Sequence, residues 1–140
     1  MAYSRRTVLG LGSGALLISS ISASPALSSA VEEAILALTG GAKIEEGGIE
    51  LITPEIAENG NSVPIEVDAP GAKVIHVFAT NNPRPGVAKF KFGPLAGSQF
   101  GSTRIRLMKT QEVVAIASMQ DGSFRKASNT VKVTIGGCGG

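Results

Sequence analysis

The sequence predicts an all-β fold, a β-sandwich, on three observations. Between residues 48 and 135 apolar residues recur mostly at every second position, the period of a strand with one buried face. Turn-forming residues interrupt these runs every ~8–12 positions, as they do in sandwiches. The helical period is confined to one short stretch near the N-terminus. The chain has no tryptophan and one cysteine, so it lacks the buried tryptophan and the disulfide of an antibody-type domain.

The helical stretch is 31–38, where Val31, Ala34, Ile35 and Leu38 share a face and Gly40-Gly41 ends the run. Ser29 and Glu32 have capping-box spacing. Ile49 and Leu51 then alternate with Glu50 until Pro54 stops the first strand. Glu55 to Glu58 reads as a turn-like segment and Asn59-Gly60 as a tight turn. Val63, Ile65 and Val67 alternate with Pro64, Glu66 and Asp68; a proline inside the run points to an edge strand, because it has no N–H to donate to a ladder. The stretch 74–79 is apolar on both faces and reads as a central strand, followed by a loop over 81–86.

Ala88, Phe90 and Phe92 alternate with Lys89 and Lys91, and after a turn at 93–97 Thr103, Ile105 and Leu107 alternate with Arg104 and Arg106. These four basic residues read as solvent-facing positions. A second largely apolar strand, 113–119, is joined through Asp121-Gly122 to a hairpin partner at 123–127. Val131, Val133 and Ile135 form the last alternating run. About eight short strands result, with no internal repeat and no second domain.

The N-terminus carries a different signal. Arg5-Arg6 stands directly before a weakly apolar run over 8–21. That run has the length of a signal h-region and falls short of the ~20 apolar residues that cross a bilayer. A twin arginine in this place is the pattern of a bacterial Tat export signal. Small residues dominate from 19 to 30, and Ser28 and Ala30 suit the −3 and −1 positions of a cleavage site, with Ala26 as the alternative end. The expected organisation is a signal peptide over 1–30, a sandwich over 31–135 and a tail over 136–140. The whole chain carries 13 basic and 11 acidic residues, and losing Arg5 and Arg6 leaves 11 of each. A neutral mature domain gives no footprint for nucleic acid or a membrane surface.

The chemistry concentrates in the ending Gly136-Gly137-Cys138-Gly139-Gly140. One cysteine excludes an internal disulfide, and an odd cysteine in an exported chain is a reactive thiol or an intermolecular link. Glycine loses the most entropy on ordering, so two on each side of Cys138 predict a flexible, narrow arm. From Gly136 to Cys138 it extends at most about 10 Å, at ~3.3–3.6 Å per residue. A thiol so mounted suits a covalent carrier that visits pockets on other proteins. It does not suit an autonomous catalyst, which needs a lowered pKa or a base held at hydrogen-bond distance. No cation lies in the tail, and the Gly140 carboxylate, ~7 Å away, opposes the thiolate by about 0.6 kcal/mol in water. The lone histidine, His76, reads as a structural strand residue. Cysteine third from the end does not make a prenylation box, and no cluster of zinc ligands accompanies it, so no metal or other cofactor is expected.

This ending, with the preceding Val131-Lys132-Val133-Thr134-Ile135, resembles that of the SoxY family, the sulfur-carrier subunit of bacterial thiosulfate oxidation. The resemblance extends over Val31-Glu32-Glu33, residues 54–60, His76-Val77-Phe78-Ala79, Asn82-Pro83, Gly86-Val87-Ala88, residues 103–107 and residues 119–124. It implies an immunoglobulin-like sandwich, a SoxZ partner exported with this chain, and Cys138 as the site of covalent sulfur, with Gly136, Gly137, Gly139 and Gly140 as the arm. It implies that the haem enzyme SoxAX joins thiosulfate to the thiol, that SoxB releases sulfate, and that a sulfur dehydrogenase, where present, oxidises the remaining sulfane. The carrier itself would be no enzyme and would hold no haem or metal. Two rival readings are a ubiquitin-like carrier activated at its Gly139-Gly140 carboxylate, which needs ATP, and a binding module crosslinked through Cys138.

Overall fold

The computed structural model describes residues 28–135. Arg5 and Arg6 of the expected export signal, and the expected arm with Gly136, Gly137, Cys138, Gly139 and Gly140, lie outside the described residues.

The helix α1 spans Ser29–Thr39 and so begins two residues before the expected mature start at Val31. Ser28 is its N-cap and makes no side-chain cap bond, while Ser29 already lies within the helix; the Ser29/Glu32 capping box is not formed. Gly40 ends the helix with φ 64°, a left-handed conformation that glycine adopts without a Cβ clash, and its N–H donates to the Leu36 carbonyl at 2.8 Å.

Nine strands follow among the described residues: β1 (Ile44–Glu46), β2 (Glu50–Ile52), β3 (Ile56–Ala57), β4 (Val63–Asp68), β5 (Ala72–Ala79), β6 (Gly86–Lys91), β7 (Phe100–Ile105), β8 (Gln111–Met119) and β9 (Phe124–Val133). They form a three-stranded sheet, β2-β4-β7, and a larger sheet in the order β1-β9-β8-β5-β6, with β3 also paired to β9. The chain crosses between sheets from β4 to β5, from β6 to β7 and from β7 to β8, and makes hairpins at β5–β6 and β8–β9. This places β2-β4-β7 as strands A-B-E and β6-β5-β8-β9 as strands C′-C-F-G of an immunoglobulin sandwich, the arrangement expected from the resemblance. β1 and β3 are additions that run parallel to the start and the end of β9.

Packing explains why two strands are apolar on both faces. On β8, Val113, Ala115 and Ala117 face the inter-sheet core with Ile65, Val67, Ile75 and Val77. The alternate residues Val114 and Ile116 face outward, and α1 covers them with Val31, Ala34, Ile35 and Leu38. The molecule therefore has three layers: helix, large sheet, small sheet. The central placement of residues 74–79 holds, since β5 lies between β8 and β6.

Three local readings need correction, and one strand has no counterpart among them. The edge assignment for residues 63–67 fails: β4 is the middle strand of its sheet. Pro64 is tolerated because β2 stops at Ile52, opposite Glu66, leaving one flank of β4 at Pro64 without a ladder to complete. Residues 44–46 form a strand that lacks a visible period because it is three residues long. Within the expected turn 55–58, Ile56 and Ala57 pair in parallel with Lys132 and Val133. The two runs expected at 123–127 and 131–135 are one strand through Val133, because the polar stretch Ser128-Asn129-Thr130 stays paired to Val114, Val113 and Glu112 of β8. Asn129 there crosses the core edge, its Nδ2 donating to the Leu51 carbonyl of the opposite sheet at 2.7 Å. Glycine is required at position 101 of β7, where the Phe90 ring from β6 occupies the place of a side chain and an added methyl would collide with it.

Candidate functional site

The tail leaves from the end of β9, and the backbone there is held closely. Lys132 N–H donates to Glu55 O at 2.9 Å and Thr134 N–H to Ala57 O at 3.1 Å. The Gly60 N–H, in the turn that Asn59 caps through its side chain, donates to the Ile135 carbonyl at 2.8 Å. The Gly60 carbonyl in turn accepts from Leu107 N–H at 2.8 Å, and Leu107 is wholly buried. From the other side Thr110 Oγ1 accepts the Val133 N–H at 2.9 Å. The segment 55–60 is thus a clasp on the last strand, and the chain is fixed as far as Ile135, three residues before Cys138.

A buried polar hub supports the same end of the molecule. Gln111, opposite Val131 in the β8–β9 ladder, is almost fully buried. Its Oε1 accepts the Asn81 N–H, and its Nε2 donates to Asn82 Oδ1 and to the Lys109 carbonyl, at 2.9, 2.9 and 3.0 Å. Asn82 Nδ2 donates to the Arg106 carbonyl at 2.7 Å. The loops 80–82 and 106–111 are so tied to each other beneath the clasp. Sequence reading found the Asn59-Gly60 turn and the 81–86 loop, but neither the clasp nor the hub. Both consist mainly of contacts between residues far apart in the chain, which periodicity does not register.

His76 lies elsewhere. It sits on β5 between Lys89 of β6 and Ile116 of β8, on the outward face, its ring stacked on Phe78 with centroids 6.3 Å apart. Its Nδ1 is buried and has no hydrogen-bond partner. Burial, and secondarily the Lys89 charge, lower its pKa from the usual 6.5. Across the sheet its row continues through Ile116 to Lys126. From Lys126 to Val133 β9 runs seven residues, about 23 Å at ~3.3 Å per residue. The three residues beyond Ile135 span at most ~10 Å. His76 therefore lies far from the end of β9, where the described chain stops.

Lys89, Lys91, Arg104 and Arg106 are all exposed, as their alternation predicts. Among the described residues no three His, Cys, Asp or Glu side chains converge as metal ligands, and no helix is long and apolar enough to cross a membrane.

The model of the family described as sulfur oxidation protein SoxY matches residues 35–138. The chain belongs to the SoxY family. The match begins inside α1 and its last residue is Cys138. Among solved structures, the sulfur carrier protein SoxY from Chlorobium limicola f thiosulfatophilum is 38% identical, with a TM-score of 0.66, over 76% of this chain and 98% of that one. A superoxide reductase from Ignicoccus hospitalis (16% identity, TM-score 0.55, 62% and 80% covered) and a putative one from Thermotoga maritima (15%, 0.52, 65% and 87%) share the fold alone. No sequence among the curated proteins matches the chain. Family membership supports covalent sulfur on a cysteine as the family's chemistry, and this chain has one cysteine.

Proposed function

We propose that this chain is the periplasmic sulfur carrier of a thiosulfate-oxidising system, holding sulfur intermediates on the thiol of Cys138. The supporting observation is positional: the family match ends on Cys138, three residues past a backbone clasped at Ile135. A rigid pivot followed by a thin glycine arm lets the thiol enter a neighbour's active site while the sandwich stays outside. Arg5 and Arg6 would direct export through the Tat pathway, and SoxZ would be the stable partner.

The chemistry balances with the activating groups supplied by other proteins. Thiosulfate would join the Cys138 thiol through a new S–S bond; the thiol would lose its proton, and the two electrons released would be accepted one at a time by the haem enzyme SoxAX and its own electron acceptor. SoxB then adds water across the terminal S–S bond, releasing sulfate and leaving a persulfide on Cys138. A sulfur dehydrogenase, where present, would oxidise that sulfane. The carrier supplies attachment and presentation, with no catalytic residue of its own.

Cys138→Ala is expected to abolish thiosulfate turnover in a reconstituted system while thermal unfolding and SoxZ binding stay unchanged. Retained turnover would overturn the carrier reading. Replacing Gly136 and Gly137 with bulky residues is expected to slow enzymatic processing and to leave the reaction of Cys138 with small thiol reagents intact. Sulfur released from the purified protein by a thiol reductant separates this reading from a terminal thiocarboxylate, which would persist.

A further inference from the structure

Reach sets a strict condition on any enzyme that serves this carrier. The main chain is held up to the Ile135 carbonyl, and the sulfur lies at most about 10 Å further along the chain. An enzyme whose reacting group lies within a cleft must therefore bring the rim of that cleft down onto the surface around Ile135. Contact there follows from the shortness of the arm.

That surface is apolar at its centre. Ile135 is 59% exposed and Ile56, on the clasp strand β3, is 56% exposed. Ile56 pairs with Lys132, and Ala57 is bonded to Thr134, so Ile56 stands beside the last strand three residues before Ile135. Beside it opens a groove of about 450 Å³ whose walls combine the apolar Pro54, Ile56 and Pro64 with the polar Glu58, Asn59 and Ser62. Exposed Glu58, Asn59 and Lys132 surround these residues. An apolar centre with a polar margin is the usual build of a protein-docking patch. Of the six large apolar side chains exposed among the described residues, Ile56 and Ile135 are the two that lie on the clasp and on the chain it holds.

We propose that Ile56, Ile135 and the Pro54–Pro64 groove form a docking collar for the rim of the client enzymes' active-site entrances, a rim that is apolar where it meets the two isoleucines. This rests on the carrier reading and adds to it the surface by which clients recognise the carrier. The thiol supplies the chemistry, and the collar supplies the seating that holds it in line.

The test uses the mature chain in complex with its SoxZ subunit. Ile56→Glu, and separately Ile135→Ser, which lies outside any strand, should lower kcat/KM for enzymatic loading or processing by about tenfold or more, the equivalent of ~1.4 kcal/mol of lost contact. Reaction of Cys138 with a small thiol reagent should stay within about twofold, as expected when only seating is altered. Unfolding temperature and SoxZ binding should not move. Unchanged kcat/KM in both variants, beside an inactive Cys138→Ala control, would overturn the collar and leave the carrier reading standing. Loss of SoxZ binding in either variant would assign these residues to the subunit interface and equally overturn it. An active Cys138→Ala control would instead remove the carrier reading itself.

Discussion

The two ends of β9 are held in different ways. At its start, the strand emerges from a tight hairpin in which Asp121 Oδ1 accepts both the N–H and the hydroxyl of Ser123, and Gly122 takes φ 87°. Its flank there is β1, joined by ion pairs on the surface, Arg125 to Glu45 at 3.2 Å and Lys126 to Glu46 at 3.3 Å. At its finish, the strand is gripped by backbone hydrogen bonds from 55–60, which rest on the buried Leu107, with the Gln111 hub alongside. The first end is secured at the surface, the second from the interior. At the second, Ile56 and Ile135 remain exposed. Interior anchoring fixes the chain as far as Ile135 without using the side chains outside.

The comparison is broken most severely at Leu107. Leu107→Ala should cost about 2–5 kcal/mol by emptying a buried site. A denaturant midpoint that barely moves would show that the clasp does not depend on the core beneath it. Gln111→Ala comes next, at about 1–3 kcal/mol, because the Asn81 N–H and the Lys109 carbonyl lose a buried partner. Calorimetry of that variant reads the loss.

On the hairpin side the effects are smaller and depend on conditions. The folded-state pKa of His76 lies below its unfolded value, so the unfolded chain binds the proton more readily. Its stabilising contribution is fully present above the usual 6.5 and is lost as pH falls through that value toward the lowered one. Denaturation midpoints of wild type and His76→Gln between pH 8 and 5 should diverge in slope, with the variant the flatter. Parallel curves would mean that the buried Nδ1 is satisfied in solution. Least costly is Glu45→Gln with Glu46→Gln, at about 0.2–1 kcal/mol for each half-exposed pair. That loss should fade in high salt; a salt-independent loss would contradict a surface origin.

Much of the fold was legible because burial imposes a period. Alternation at Ile49–Leu51 and Val63–Val67 located strands, and apolar residues on both faces of 74–79 and 113–119 marked those covered on two sides. The period failed where partners outweighed it. Ser128-Asn129-Thr130 looks like an interruption and is a paired strand, since β8 is present to complete its ladder. Ile56-Ala57 looks like a turn and is a strand only because β9 lies beside it. Pro64 suggested an edge, whereas the relevant edge is one flank of a central strand.

The sequence by itself determined which group the proposed chemistry can use, since the chain has one cysteine and it stands between pairs of glycines. Composition and local order suffice for that because the information is covalent. Tertiary structure alone decided how the chain is held up to Ile135 and which side chains lie around that point. Those facts depend on residues 55–60, 107–111 and 131–135 meeting in space, and chain segments so far apart carry no local mark of their encounter.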